Sequence, residues 1–246
     1  GLENIDAKTL GTPEICPATG CYDETLLRGL TAAIKKEQGN QVVVLHQLGN
    51  HGPAYYARYP KEFEKFKPVC ASSDLGRCTQ QEIFNAYDNA ILYTDYILSK
   101  AIDLLKAENN RNVVFIYLSD HGESLGEGGF YLHGLPYAIA PKDQTRAPML
   151  MWFSDQFIKE NKLNEFLNDG TEDIGIAVQG GLYNIVIRAL QLLGLSDVYG
   201  NTKIPLYVMN VTYPVIDDEI VQFAANKKAF ILVEEGQPDY IEQNLH

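Results

Sequence analysis

Basic residues are scarce in this sequence. Twenty Lys and Arg stand against 32 Asp and Glu, a net charge of −12 over 246 residues. A nucleic-acid groove needs clustered cations, as does electrostatic adhesion to anionic lipid, so both function classes are disfavoured. An acidic protein can still hold a phosphate, provided a metal or a local cation supplies the positive charge. Long apolar runs are missing as well: none reaches the ~18–20 residues of a membrane helix. Neither a Met nor a signal-like apolar stretch opens the chain at Gly1-Leu2-Glu3-Asn4-Ile5. It reads as a mature or excised fragment, with any anchor or targeting signal outside it. Internal repeats and low-complexity segments are absent. What remains is 46% hydrophobic, enough core for one large α/β domain or two small ones.

Cysteine is confined to four positions, Cys16, Cys21, Cys70 and Cys78. Zinc knuckles prefer tighter pairs with further Cys or His in register; Cys16 and Cys21 come near that spacing, Cys70 and Cys78 do not. Two local disulfides, Cys16–Cys21 and Cys70–Cys78, are the better reading and imply an oxidising compartment. Four unpaired thiols in a cytosolic protein are the alternative.

Asp23 is placed to cap a helix whose stripe is Leu26, Leu27, Leu30, Ala33 and Ile34. Gln41 to Leu45 (QVVVL) reads as a buried strand that ends at His46 and enters the loop Gly49-Asn50-His51-Gly52-Pro53. Residues 54–80 are aromatic and irregular. The clearest helix is Gln80 to Lys106. Ile83, Tyr87, Ala90, Thr94, Ile97, Ala101 and Leu105 recur at helical spacing, and Thr79 with Glu82 forms a capping box. Asn112 to Leu118 is a second buried strand, running into Ser119-Asp120-His121-Gly122, and Pro148 to Phe153 is a third. The texture changes after a linker at Asn168-Asp169-Gly170-Thr171. Strands at 174–178, 204–211 and 229–233 alternate with helices at 182–194 and 218–225, a compact βαβαβ unit.

Both histidine-bearing loops follow a buried strand, and ligands of open α/β sheets gather beyond the carboxyl ends of the strands. Carboxylate oxygen and imidazole nitrogen are good zinc ligands. Asp120 and His121, adjacent in sequence, can converge where a strand breaks, and Gly122 permits the break. His133 follows the glycine-rich Gly126-Glu127-Gly128-Gly129. A single histidine in a glycine loop is usually a hydrogen-bonding residue, and His46 is read as one supporting the site from behind. Three histidines and an aspartate together point to a metal or phosphate site.

These motifs carry a resemblance. Leu45-His46-Gln47-Leu48-Gly49-Asn50-His51-Gly52-Pro53-Ala54-Tyr55-Tyr56 closely resembles the phosphoethanolamine transferases that modify lipid A, among them the mobile colistin (polymyxin) resistance proteins. The likeness continues through Arg58-Tyr59-Pro60, Asn85-Ala86-Tyr87-Asp88-Asn89, Ser119 to Glu127, Tyr131 to Tyr137 and Ala140-Pro141, covering about 10–155. That family is a membrane-anchored, periplasmic branch of the alkaline-phosphatase-like (sulfatase) superfamily. The resemblance implies an α/β fold with an alkaline-phosphatase-like sheet flanked by helices, N-terminally incomplete here, in a partial catalytic domain over 1–156. It implies that Asp120 and His121 ligate a catalytic zinc, and that His51 and His133 serve the phosphoethanolamine group or a second zinc. It implies disulfides at both cysteine pairs. Phosphatidylethanolamine and lipid A head groups are the implied substrates, and the membrane is reached only through a segment outside this chain.

The family's nucleophilic threonine and an acidic zinc ligand precede the first cysteine pair, and this chain has no counterpart. Thr9, Thr12 and Thr19 stand in the wrong context, so no catalytic nucleophile is assigned. The expectation is weak zinc binding and no turnover by this chain alone.

The stretch Asp173 to Asn184, with Asn210-Val211-Thr212-Tyr213-Pro214 and Val233 to Gln243, resembles instead the large subunit of the thiamine-diphosphate-dependent indolepyruvate ferredoxin oxidoreductases. It implies a partial oxidoreductase-like βαβ domain over 157–246, without that family's thiamine-diphosphate or iron–sulfur ligands. Two further readings therefore compete with the transferase: a non-catalytic fusion of two partial domains, and a fragment of a 2-oxoacid ferredoxin oxidoreductase.

Overall fold

The computed structural model describes residues 4–18, 20–36, 39–108, 111–168, 172–236 and 239–245. Thr19, the linker residues 169–171, Gly1 to Glu3, and Gln237 with Pro238 of the last motif lie outside the described residues. The chain divides into two compact units, 1–109 with 116–150, and 110–115 with 151–246.

The first unit is organised by the long helix α3 (Gln80–Lys106), which follows α1 (Ala7–Leu10) and α2 (Glu24–Lys36). The Thr79 side chain caps the Glu82 amide, and the Glu82 carboxylate returns to the Thr79 amide at 2.7 Å. That reciprocal box satisfies two donors left open by any helix start. One stretch of α3 packs Ile83 and Ala86 against Tyr55, Cys70, Leu75 and Leu125. Further along, Ala90, Tyr93 and Ile97 pack on Tyr59.

The irregular residues 54–80 are held by polar groups of the same helix. Fully buried Asn89 accepts from the amides of Lys65 and Phe66 and donates to the Phe66 carbonyl. Asn85 donates to Pro68, and the Cys70 amide to Glu82. Buried backbone without a ladder needs such partners. Disulfides Cys16–Cys21 and Cys70–Cys78 close two loops of this unit, as the spacing suggested.

Strand β1 (Val114–Leu118) pairs with β4 (Met149–Phe153). Between them lie the two-residue strands β2 (Ser124–Leu125) and β3 (Tyr131–Leu132), an antiparallel pair with Ser124 opposite Leu132, and the short α4 (Lys142–Thr145).

The expected strand at Gln41 to Leu45 does not form. No ladder includes these residues, and Val42 and Val44 are 94% and 83% exposed. Their composition suits a buried strand, but a strand needs a hydrogen-bonded neighbour, and none of the described strands pairs with them.

The second unit contains α5 (Asp155–Glu160) and a sheet of β5 (Glu165–Leu167), β6 (Ile174–Gln179), β7 (Leu206–Met209) and β8 (Ala229–Val233), in the order β5-β7-β6-β8. β6 is parallel to both β7 and β8, whereas β5 is antiparallel to β7. Helices α6 (Tyr183–Leu192) and α7 (Asp217–Ala224) supply the crossovers, and α8 (Tyr240–Asn244) follows. Alternation along the strands sends Ile176, Val178, Leu206 and Val208 to α6, and Ala177, Tyr207 and Met209 to Phe223 and Ile220 of α7. The βαβαβ reading holds, with β5 as an added antiparallel edge. No helix among the described residues is long and apolar enough to cross a membrane.

Candidate metal centre

All the residues that converge belong to the first unit. His51 follows the loop Leu48–Asn50, which is tied at several points. The Asp23 carboxylate, expected to cap α2, accepts from the amides of Leu48 and Gly49 at 3.0 and 2.8 Å. Thr94 of α3 donates to the Asn50 side chain at 2.7 Å, and the Arg58 guanidinium donates to the His51 carbonyl at 2.6 Å. Burial holds the Asp23 carboxyl above the ordinary carboxylate range, against the lowering effect of the two amides.

His121 sits just beyond the end of β1. Ser119 donates to its carbonyl at 2.6 Å, and the Gly122 amide donates to the Gln144 carbonyl at 3.0 Å. That close approach demands glycine: a Cβ at 122 would run into the Asp143 carbonyl oxygen.

His133 is placed by register. With Ser124 opposite Leu132, residues 123 and 133 flank the end of the small ladder, and Glu123 Oε1 lies 3.0 Å from His133 Nδ1. Leu132 has φ +63°, a left-handed conformation that costs a leucine on the order of 1–3 kcal/mol. The ladder with β2 and packing against the Tyr55–Leu125 cluster hold it there.

One ring nitrogen from each of His51, His121 and His133 lies within 4.8 Å of the other two. The rings of His121 and His133 stack at 3.9 Å, and that of His51 stands edge-on to both, at 5.9 and 5.0 Å. Each Nδ1 faces an acceptor: Gly52 O at 2.7 Å for His51, Gly122 O at 3.0 Å for His121, and the Glu123 carboxylate for His133. Carbonyl and carboxylate oxygens only accept, so each Nδ1 carries a proton and Nε2 is the nitrogen that can offer a lone pair. Three imidazoles with their outer nitrogens anchored are a donor set that fits a borderline divalent metal such as zinc.

Asp120 stands apart from this group. Its side chain is 86% exposed, its Oδ1 accepts from the His121 amide, and the same oxygen is 3.7 Å from His121 Nε2. His46 is exposed and has no hydrogen bond to the three rings among the described residues.

Glu123 is the residue that sequence reasoning passed over. Its side chain is 5% exposed, and it accepts from Gly52 N at 3.3 Å, Tyr55 Oη at 2.6 Å and His133 Nδ1. One carboxylate thus ties the His51 loop to His133. Burial, then the bond to Glu123, pushes the Tyr55 hydroxyl far above its usual range, so it remains a donor. The available signal was chemical: a ligating histidine needs an acceptor behind its other nitrogen, and Glu123 is one of the carboxylates of the motif.

The sulfatase family profile matches residues 3–171, and the chain belongs to that family. It is 48% identical over 164 residues to phosphoethanolamine transferase EptA of Escherichia coli (strain K12), covering 66% of this chain and 30% of that protein. To phosphatidylethanolamine transferase Mcr-1 of Escherichia coli it is 44% identical over 156 residues, 61% of this chain and 29% of the relative. The chain therefore spans 30% or less of the length of these curated relatives. Among solved structures, the soluble domain of lipooligosaccharide phosphoethanolamine transferase A from Neisseria meningitidis is similar with a TM-score of 0.61 and 41% identity, over 66% of this chain and 48% of that one. The C-terminal periplasmic domain of phosphoethanolamine transferase EptC from Campylobacter jejuni is similar with a TM-score of 0.54 and 48% identity, over 58% and 46%.

Proposed function

We propose that this chain carries the zinc and substrate-histidine part of a site that transfers phosphoethanolamine from phosphatidylethanolamine to lipid A, on the periplasmic side of a membrane. The observation that carries the reading is the convergence of His51, His121 and His133 with every Nδ1 anchored. The activities named for the similar transferases, and the two disulfides, which suit an oxidising compartment, support it.

In this reading Asp120 and His121 hold the zinc, and His51 and His133 hold the phosphoethanolamine group or a second zinc. Bound zinc supplies a Lewis acid for a phosphoryl oxygen and lowers the pKa of a coordinated hydroxyl. The chain's own residues position: Glu123 fixes the His133 ring and the His51 loop, Gly122 lets the strand end turn, and Arg58 with Thr94 holds Asn50-His51. The acceptors behind each Nδ1 orient the three rings so that Nε2 is the nitrogen available to ligate. The resemblance places the nucleophilic threonine and a further acidic ligand in a part of the family's sequence with no counterpart here. The stretch 157–246, read as a partial oxidoreductase-like domain, has no assigned part in this chemistry.

Calorimetric titration of the metal-free chain with zinc tests the reading. The expected result is zinc binding that is lost in His121→Ala and weakened in His51→Ala, His133→Ala and Asp120→Ala. Absence of binding by the parent chain, or binding unchanged by all four substitutions, would overturn the metal reading.

A further inference from the structure

Gln144 is the one buried residue of the short helix α4, with exposed neighbours on either side. Burying an amide side chain is costly unless its polar groups are paired, and here both ends are. Nε2 donates to Ser124 Oγ at 3.0 Å, and Oε1 accepts from the Leu135 amide at 3.4 Å. Ser124 is itself fully buried. The carbonyl of the same residue accepts from the Gly122 amide at 3.0 Å. Gln144 therefore holds positions 122, 124 and 135. The first two flank Glu123, and the third follows His133 by two residues.

His121 and His133 come from separate stretches that the two-residue ladder of β2 and β3 joins. A lone two-stranded hairpin is marginally stable at best, so the ladder needs a second tie to fix a ring beyond its end. His133 and Gly134 lie between Leu132, the last ladder residue, and Leu135. Gly134 has φ +97°, and among the described residues nothing lies within 4 Å of where its Cβ would be. No packing at Gly134 arrests the turn. Glu123 orients the His133 ring, but Glu123 is itself carried between Gly122 and Ser124. We propose that Gln144 is a positioning residue that sets His133 against His121. By pinning Leu135 to Ser124, its side chain closes the turn at 133–134 and keeps the two rings stacked at 3.9 Å. Its carbonyl steadies Gly122, whose own carbonyl faces His121 Nδ1. An amide suits both tasks: it donates to a hydroxyl, accepts from a backbone N–H, and adds no charge near the Glu123 carboxylate. The inference rests on the reading of the three histidines as metal ligands.

The test is zinc calorimetry on the full chain carrying Gln144→Met, which keeps the side-chain volume and removes both polar contacts. The main-chain bond to Gly122 survives the substitution, so His121 keeps its place. Zinc affinity should fall by about tenfold or more, as for other groups that orient a ligand. A double-mutant cycle then separates positioning from general damage. In a His133→Ala chain the positioned group is gone, and Gln144→Met should change affinity by less than about twofold. In a His51→Ala chain the loss of about tenfold should remain. Adding Ser124→Ala to Gln144→Met removes the hydroxyl left without its donor, and should restore the unfolding midpoint without restoring affinity. In the metal-free chain, the ring-nitrogen NMR signals of His133 should move in Gln144→Met. Equal losses in the His133→Ala and His51→Ala chains would overturn the proposal, as would affinity that Ser124→Ala restores together with the midpoint. Absence of zinc binding by the parent overturns the metal reading instead. The metal-free spectra then decide the positioning of His133, and unmoved His133 signals overturn it.

Discussion

Replacing Glu123 separates the two things its carboxylate does. In Glu123→Ala, the buried Tyr55 hydroxyl, the Gly52 amide and His133 Nδ1 all lose their acceptor. Each buried donor left unpaired costs about 1–3 kcal/mol. Water entering the vacated space recovers part of that, leaving a loss of about 3–5 kcal/mol. At about 2–4 °C per kcal/mol for a chain of this size, the unfolding midpoint of the first unit falls by roughly 10 °C. Glu123→Gln behaves differently. Its Oε1 can still accept from Gly52 and His133, while its amide donates to Tyr55, whose hydroxyl turns from donor to acceptor. The stability loss is then about 1 kcal/mol or less. What disappears is the negative charge behind His133, which lowers metal affinity by about tenfold or more. Thermal unfolding followed by near-ultraviolet circular dichroism reads the first effect, and zinc calorimetry the second. An alanine variant as stable as the parent, or a glutamine variant as damaged as alanine, would refute the shared-acceptor account.

Gly122→Ala should cost about 1–3 kcal/mol and misplace His121, because the backbone at 122 must leave the Asp143 carbonyl; cobalt(II) absorption spectra unchanged from the parent would contradict this. Replacing Cys70 and Cys78 together by alanine should cost about 2–3 kcal/mol of loop-closure entropy, read by urea unfolding with the other disulfide intact. Asp23 yields a pH dependence. Its carboxyl is raised in the folded state, chiefly by burial, so the folded protein binds that proton more tightly than the unfolded chain. The associated stability is complete below the ordinary carboxylate value and is lost as pH rises through the raised one. Asp23→Asn should flatten the stability–pH curve in that window, and an unaltered slope would exclude the assignment.

Local rules made α3 legible from end to end: a capping box, a helical stripe and no interior proline or glycine act over a few residues and need no distant partner. The same holds for the disulfides, whose partners are 5 and 8 residues apart, and for the βαβαβ unit, where two periodicities alternate. The strand-end position of the His121 loop was readable because the Val- and Ile-rich run before it stops at Ser119-Asp120. Gln41–Leu45 was misread for the converse reason. Composition reports what a segment would bury, while a ladder depends on a neighbour hundreds of atoms away along the chain.

By itself, the sequence determined that this acidic, locally cross-linked chain holds glycine-flanked loops bearing His51, Asp120, His121 and His133. Only the tertiary structure decided which of these meet. The register of a two-residue ladder set Glu123 beside His133, and Glu123 in turn caught Gly52, bringing a loop 71 residues away in sequence against the same carboxylate. Convergence of that kind depends on three-dimensional distance and on who accepts from which ring nitrogen, and neither quantity is written in residue spacing. The same geometry left Asp120 exposed while its sequence neighbour His121 joined the cluster, because successive side chains leave the backbone in different directions once a strand has ended.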